Sequence, residues 1–501
     1  MNKKLLKVFS IVISVILVAT AFAGCKKSGD ANGGQGKAMQ DDFFGDVTGD
    51  INYVMIYNPH IYTKTSANSM NTGDLGEYVE AIIHRGGDTM RDSEYLPTSL
   101  EAINEKFGFA ELDMDRAGSD YEQMYDPYSV GDIKVFATFD QNDNFGKKPF
   151  QCVYAGEYCN IWTSNTGFSS SLAQAYGESF DNDIYIPMTS TFGKARFAEN
   201  GRKVNILVTD LSPYTYGCFC PADTYTAEEL EYLGENPELY NESHAIIHIN
   251  ILAAQSEKYK KTVISTLAHE LQHNILQSSS LHSGTRPGIW INEAMSGYSE
   301  EMLYPGIQKE NERYDVFESS NMIRHGQSLY NFDTKTTATD FDIGVYGSVF
   351  LLSEYLAKNA GSNVFGNVHD YWRTTAGRYT TDAEVIYESV SSDFRDRIDT
   401  SVTYDDSLSF SNEYDKWLSK MTLDFYLTLA SHNGNSPEHF DNVGTENLLY
   451  DQISDTDIEG GGRIIVALKD GEFDMPQNAD EGMIYVGLDQ NFNVVTGYVY
   501  K

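Results

Sequence analysis

The sequence predicts an α+β fold of two lobes, a mixed sheet lobe followed by a mainly helical lobe, with a small β-rich C-terminal part. Three observations carry this. Before residue 260 the clearest periodic segments, Ile133–Phe139, Asn205–Leu211 and His244–Ile251, read as strands, with Gly- and Asn-rich loops between them. From 261 to 430 apolar residues recur at three- and four-residue steps. Beyond about Asn442 short strand-like runs return. A chain of 501 residues with 13% aromatics has ample material for a large core.

The N-terminus is a targeting segment. Lys3, Lys4 and Lys7 precede an uncharged stretch from Val8 to Ala23, too short and too rich in small residues at its end for a transmembrane helix. Residues 1–24 therefore read as a signal peptide. Phe22-Ala23-Gly24-Cys25 resembles the bacterial lipobox, with Phe22 in place of the usual Leu, and implies lipidation of Cys25. Ala21-Phe22-Ala23 also fits ordinary secretion. Lipidation leaves an even four cysteines, Cys152, Cys159, Cys218 and Cys220, where plain secretion leaves five. The Gly-rich polar stretch that follows makes 25–45 a flexible tether. In an exported chain the four cysteines are expected as disulfides or buried thiols. Cys218 and Cys220 stand too close for a relaxed mutual bridge, so cross-pairing with Cys152 and Cys159 is the attractive arrangement, and their spacing does not suit structural zinc.

Residues 46–260 form the sheet lobe. Leu75–Ile83 and Ser99–Lys106 have helical spacing among its strands. Asp140–Asn144 has the acidity of a calcium loop, but Phe145 holds the turn-glycine position and Gln151 replaces the closing Glu, so a solvated turn is expected. Along His244–Ile251 one face carries Ala245, Ile247, Ile249 and Ile251, the other His244, Ile246, His248 and Asn250.

The chemistry concentrates just after this strand. In Tyr259–Gln277, Val263, Ile264, Leu267, Ala268, Leu271 and Ile275 mark a half-buried helix. His269, Glu270 and His273 on it spell H-E-x-x-H. The i,i+4 spacing puts both imidazoles on one face, where each can offer a nitrogen to one metal ion. Glu270 can then reach a metal-bound water without binding the metal. Nineteen residues separate His273 from Glu293 in Trp290-Ile291-Asn292-Glu293-Ala294, which suits a second helix completing a His2Glu site with one position open.

These two motifs together resemble the gluzincin zinc metallopeptidases, the clan of thermolysin and the aminopeptidase-N-like enzymes. The resemblance implies a thermolysin-like two-lobed peptidase over 46–430, with Zn²⁺ held by His269, His273 and Glu293 and Glu270 as general base. A third segment, Tyr346-Gly347-Ser348-Val349-Phe350-Leu351 continuing through Leu356, is similar to the tyrosine-bearing helix of aminopeptidase-N-like and hyicolysin-like members. It implies that the Tyr346 hydroxyl supports the scissile carbonyl, with His325 as second choice. The strand at 244–251 would be the edge of the substrate cleft, where His244 and His248 could meet the peptide but more simply satisfy a strand face.

Two departures matter. No G-x-M-E-N-like segment precedes the helix, so recognition of a free amine has no visible counterpart and an endopeptidase is expected. Gly297 stands where thermolysin-like enzymes place an Asp to orient the first zinc-binding imidazole, leaving Glu300 and Glu301 as candidates for that task. The order of NILVTDL, the edge strand, HELQH, WINEA and YGSVFLLSEYL is most similar to the hyicolysin family, over roughly residues 180–380.

The remaining elements are structural. Tyr414–Ala430 carries a helical stripe of Trp417, Met421, Phe425 and Leu429, and Ile464–Leu468, Met483–Leu488 and Val494–Tyr500 are short strands of a β-rich module over 431–501. The formal charge of −37, near −40 once the three lysines of the signal peptide are removed, excludes nucleic acid as a main partner and electrostatic attraction to anionic lipid as an anchor. Expected partners are a protein or peptide substrate and, through acylated Cys25, the extracytoplasmic face of a cell membrane; a monomer is expected. The rival function is a surface adhesin or ligand-binding lipoprotein with a peptidase-like fold.

Overall fold

The computed structural model describes residues 50–61, 70–71, 79–80, 91–94, 128–140, 145–198, 202–211, 215–241, 244–285, 287–310, 326, 328–330, 341–375, 378, 380–404, 408–431, 457–468 and 480–499. The signal segment, Cys25, the tether, the helix expected at 99–106, His325, and 141–144 of the acidic turn lie outside the described residues.

The strands are β1 (Tyr53–Tyr57), β2 (Met70–Asn71), β3 (Val79–Glu80), β4 (Arg91–Glu94), β5 (Ile133–Phe139), β6 (Phe145–Ala155), β7 (Cys159–Thr163), β8 (Val204–Thr209), β9 (Thr215–Phe219), β10 (Ile246–Asn250), β11 (Asp457–Ile458), β12 (Arg463–Leu468), β13 (Ile484–Leu488) and β14 (Val494–Val499). The longer helices are α1 (Ser170–Ser179), α2 (Tyr185–Phe192), α3 (Ala227–Tyr232), α4 (Lys260–Ser283), α5 (Ile289–Leu303), α6 (Phe341–Ala360), α7 (Val364–Thr374), α8 (Asp382–Ser389), α9 (Ser392–Ser401) and α10 (Glu413–Ser431). Mixed sheets plus helices make the fold α+β.

A seven-stranded mixed sheet has the order β4-β9-β10-β8-β7-β6-β5. Its centre is parallel, β10 on β8 and β8 on β7, and those strands are buried throughout, as a sheet covered on both faces requires. One face puts Ile161, Ile206, Val208, Ile247 and Ile249 into the main core; the other packs Phe136, Phe150, Trp162, Leu207 and Ile246 into a smaller cluster. This order corrects one expectation. The 244–251 strand is not an edge, because β10 is flanked by β8 and β9. Alternation along a strand fixes which face each residue takes, but not which strands come to lie beside it.

The second sheet is antiparallel, ordered β14-β13-β1-β12-β3. The three C-terminal strands do not stand alone, since β1 lies between β12 and β13. Alternate residues Met55, Tyr57, Ile465, Ile484 and Val486 join the main core, while Val54, Ile56, Ile464, Val466 and Tyr485 close a second cluster behind. Val79–Glu80, within the stretch read as helical, is extended and pairs with Leu468 and Ala467, so long-range pairing has overridden local spacing there.

Helix α4 is more deeply placed than its stripe suggests. Every residue from Ser265 to Leu276 is buried, because β9 and β10 cover one side while α2, α5 and α7 cover the others. Its inward-facing hydroxyls return to the helix's own carbonyls, Ser278 Oγ to Asn274 O at 3.0 Å and Ser280 Oγ to Leu276 O at 2.8 Å. Gly284 ends it in the left-handed conformation, φ 76°, donating its N–H to Ser280 O.

The four cysteines in the described residues are buried thiols, the second of the two forms expected, and the cross-paired arrangement is not formed. Cys152 belongs to the cluster around Trp162, Cys159 to the main core, and Cys218 and Cys220 to a third cluster around Tyr225, so packing separates the pairs. Burial pushes the Cys152 thiol up to about 11 and raises Cys159 and Cys220 well above the ordinary thiol value, so none of these three is poised as a thiolate.

Candidate metal centre

The site is built by two buried helices in contact, α4 and α5. The first turn of α5 is held by a carboxylate from α8. Asp382 accepts from Gly288 N at 3.1 Å and from Trp290 Nε1 at 2.8 Å, and a Cβ on Gly288 would stand 2.3 Å from Asp382 Oδ2. Glycine is needed there so that the acid can reach the helix N-terminus, where backbone donors and the helix dipole favour it. That anchor fixes Asn292 and Glu293 one turn further on.

From α4, His269 and His273 turn toward Glu293. His269 Nε2 lies 3.3 Å from Glu293 Oε2, and His273 Nε2 lies 3.7 Å from Glu293 Oε1. The ligating atoms of these three side chains all fall within 4.8 Å of one another, and all three residues are buried. Donors about 2.0–2.1 Å from one tetrahedral zinc ion would stand roughly 3.3 Å apart, so the spacing suits such an ion.

The opposite ring nitrogens decide the charge balance. His269 Nδ1 is 2.8 Å from Glu300 Oε1. His273 Nδ1 is 2.8 Å from Asn292 Oδ1 and 3.0 Å from Ser296 Oγ. The Ser296 hydroxyl sits against two further acceptors, Gln272 Oε1 and Asn292 O, which take its proton and leave a lone pair toward His273. Both Nδ1 atoms are therefore N–H donors. In neutral imidazoles both Nε2 atoms then carry lone pairs, and both face carboxylate oxygens. With the imidazoles neutral, this acceptor-against-acceptor arrangement in a buried site is one that a cation between them satisfies, and two imidazoles with one carboxylate form a zinc-type donor set. The residues present fit Zn²⁺.

Glu270, fully buried, follows His269 on α4 and lies against Gly217 of β9. Tyr346 is half-buried on α6, which packs along α5. Gly297 faces Phe350 of α6, where a Cβ would come within 3.4 Å. The departure at Gly297 thus coincides with a close helix crossing, and Glu300 takes over the orientation of His269. Glu301, the other candidate, instead accepts from the backbone of Gly306 and Gln308. His244 and His248 are not brought to the centre. His244 binds Asn241 O at 2.6 Å and Lys134 Nζ at 3.0 Å; His248 lies between Thr138 Oγ1 at 3.0 Å and Asp223 Oδ2 at 3.4 Å. Sequence reasoning missed Asn292 and Ser296. Their signal was present, since 292, 296 and 300 recur every four residues and so share a face of α5.

No family model matches the chain, and no curated protein matches it. Among solved structures, native yeast LTA4 hydrolase is similar over 60% of this chain and 48% of that chain, at 14% identity and a TM-score of 0.34. The chain thus spans about half the length of that structure. The reading of the site rests on its own residues.

Proposed function

We propose that this protein is a zinc-dependent endopeptidase that hydrolyses peptide bonds of extracellular proteins or peptides. The observation that carries the reading is the convergence of His269 Nε2 and His273 Nε2 on the Glu293 carboxylate while both Nδ1 atoms are spoken for. His269, His273 and Glu293 would hold the ion, which when bound supplies Lewis acidity toward a water and the scissile carbonyl. Glu300 and Asn292 fix the imidazole tautomers and ring planes, so that the two lone pairs stay aimed at one point. Glu270, one residue from a ligand and shielded from solvent, takes the proton of the attacking water and delivers it to the leaving amine. Tyr346 offers a hydrogen bond from its hydroxyl to the developing oxyanion.

Glu270→Gln is expected to abolish cleavage of casein or a peptide library while leaving one zinc per chain; Glu293→Ala is expected to lose the metal as well. Cleavage by Glu270→Gln at the wild-type rate would remove Glu270 as the base, and a zinc-loaded wild type that cuts no peptide would remove the peptidase reading.

We further propose that Cys25 carries the lipid that holds the protein at the extracytoplasmic face of the cell membrane, with the 25–45 tether spacing a monomeric enzyme from it. This rests on the Phe22–Cys25 motif and the polar stretch behind it. Mass spectrometry of the mature N-terminus should find diacylglyceryl-modified Cys25; an unmodified chain beginning at Gly24 would reject the anchor.

A further inference from the structure

We propose that Gly217 is a positioning residue for the proton-transferring carboxylate of Glu270, an inference that rests on the peptidase reading above. Strand β9 keeps its register toward β10 here but carries one extra residue toward β4, where Arg91 pairs with Thr215 and Ser93 with Cys218. Gly217 pairs with Ile249 and Cys218 with His248 across β9 and β10. Its φ lies outside the left-handed region, so its backbone does not demand glycine. A glycine inside a strand weakens it and marks either a bulge or a close approach by another group. The irregularity toward β4 leaves φ in a range any residue adopts, so it is the close approach that calls for glycine. The approaching groups are identifiable. A Cβ at 217 would stand 2.6 Å from Thr266 Cγ2, 3.0 Å from Glu270 Cγ and 3.0 Å from Glu270 Oε1. Thr266 and Glu270 are one turn apart on α4, so the strand crosses the helix over the base with no side chain between them.

Two ways exist to admit a methyl group at 217. The Thr266 methyl can give way, although its hydroxyl is tied to Thr262 O at 2.9 Å. Otherwise Glu270, itself fully buried, must give by a few tenths of an ångström, which moves its carboxylate. A displacement of about 1 Å in a reacting group can cost on the order of 10²-fold in rate, so a few tenths are worth several-fold. The missing side chain at 217 thus sets where the base stands, and the zinc ligands are untouched by it.

Two variants separate this from simple packing. In Gly217→Ala, zinc content is expected to stay at the wild-type level and KM within about 1.5-fold, while kcat falls roughly 3- to 10-fold. In Gly217→Ala/Thr266→Ser, the closest contact is relieved but the Glu270 contact is not, and the loss of kcat should persist. Crystal structures of both variants should show the Glu270 carboxylate shifted by a few tenths of an ångström, a readout independent of hydrolysis. Should Gly217→Ala alone fail to fold, the double variant serves in every measurement. Wild-type kcat in Gly217→Ala, recovery of kcat in the double variant, or an unmoved Glu270 would each overturn the assignment. A wild type that binds zinc but cleaves nothing would instead sink the peptidase reading, and the position of Glu270 in the crystals would still judge Gly217.

Discussion

Two buried histidine–carboxylate systems lie on either side of β9 and β10, and they differ in what they require. Around His248, every neighbour can be satisfied without a metal ion. Nδ1 lies 3.0 Å from the Thr138 hydroxyl, which can donate or accept, Nε2 lies 3.4 Å from Asp223 Oδ2, and the other oxygen of Asp223 accepts from Asn241 N at 3.1 Å and Nδ2 at 2.9 Å. This hydroxyl–imidazole–carboxylate chain has the order of a nucleophilic triad, yet Thr138 is 2% exposed and His248 and Asp223 are fully buried, so no substrate reaches it. It links β5, β10 and the turn after β9. Around His269 and His273 neutral imidazoles meet more acceptors than they have protons, because Glu300, Asn292 and Glu293 all present oxygens. Burial is the same in both systems. The count of donors against acceptors is what separates a structural histidine from a metal ligand.

The comparison can be broken at either end. The larger effect is expected at Glu300. Glu300→Gln keeps the shape but weakens the hold on His269 Nδ1, and should lower zinc affinity roughly 10- to 100-fold by competition with a chelator. Unchanged affinity would mean that Glu300 does not orient the ligand. The smaller effect is expected at Thr138. Thr138→Val leaves His248 Nδ1 facing a methyl group and should cost about 1 kcal/mol in urea unfolding, the net worth of a typical intramolecular hydrogen bond. Zinc affinity and kcat should stay at wild-type values. A change in zinc affinity there would show that the two systems are coupled and that the distinction drawn between them is wrong.

Much of the site was legible because it is local. His269 and His273 are one turn apart, and Glu293 follows after a short connection, so helical geometry alone puts two imidazoles on one face and offers a nearby acid. Glu300 was visible as one of two candidates, but choosing it over Glu301 required the packing of α5 against α4. Gly217 was illegible for a different reason. It lies 53 residues before Glu270 in the chain, and only the course of β9 over α4 brings the two together.

The fold divides the same way. The alternating strands at 133–139 and 205–211, the buried helix α4 and the terminal helix α10 are periodic segments whose apolar pattern specifies their conformation. The strand order, the placement of β10 inside the sheet, the pairing of β1 with strands from the opposite end of the chain, and the extended Val79–Glu80 are matters of long-range pairing. The cysteines belong there too, since spacing admitted cross-pairing while the packing of three separate clusters did not. By itself the sequence determined an α+β chain with two imidazoles on one helix face, a buried carboxylate between them in sequence and a further acid on the next helix, because helix periodicity and motif spacing act over a few turns. Only the tertiary structure decided which groups orient those imidazoles, which strand lies over the base, and which histidine is merely satisfied, because each depends on partners that meet through folding and not through sequence.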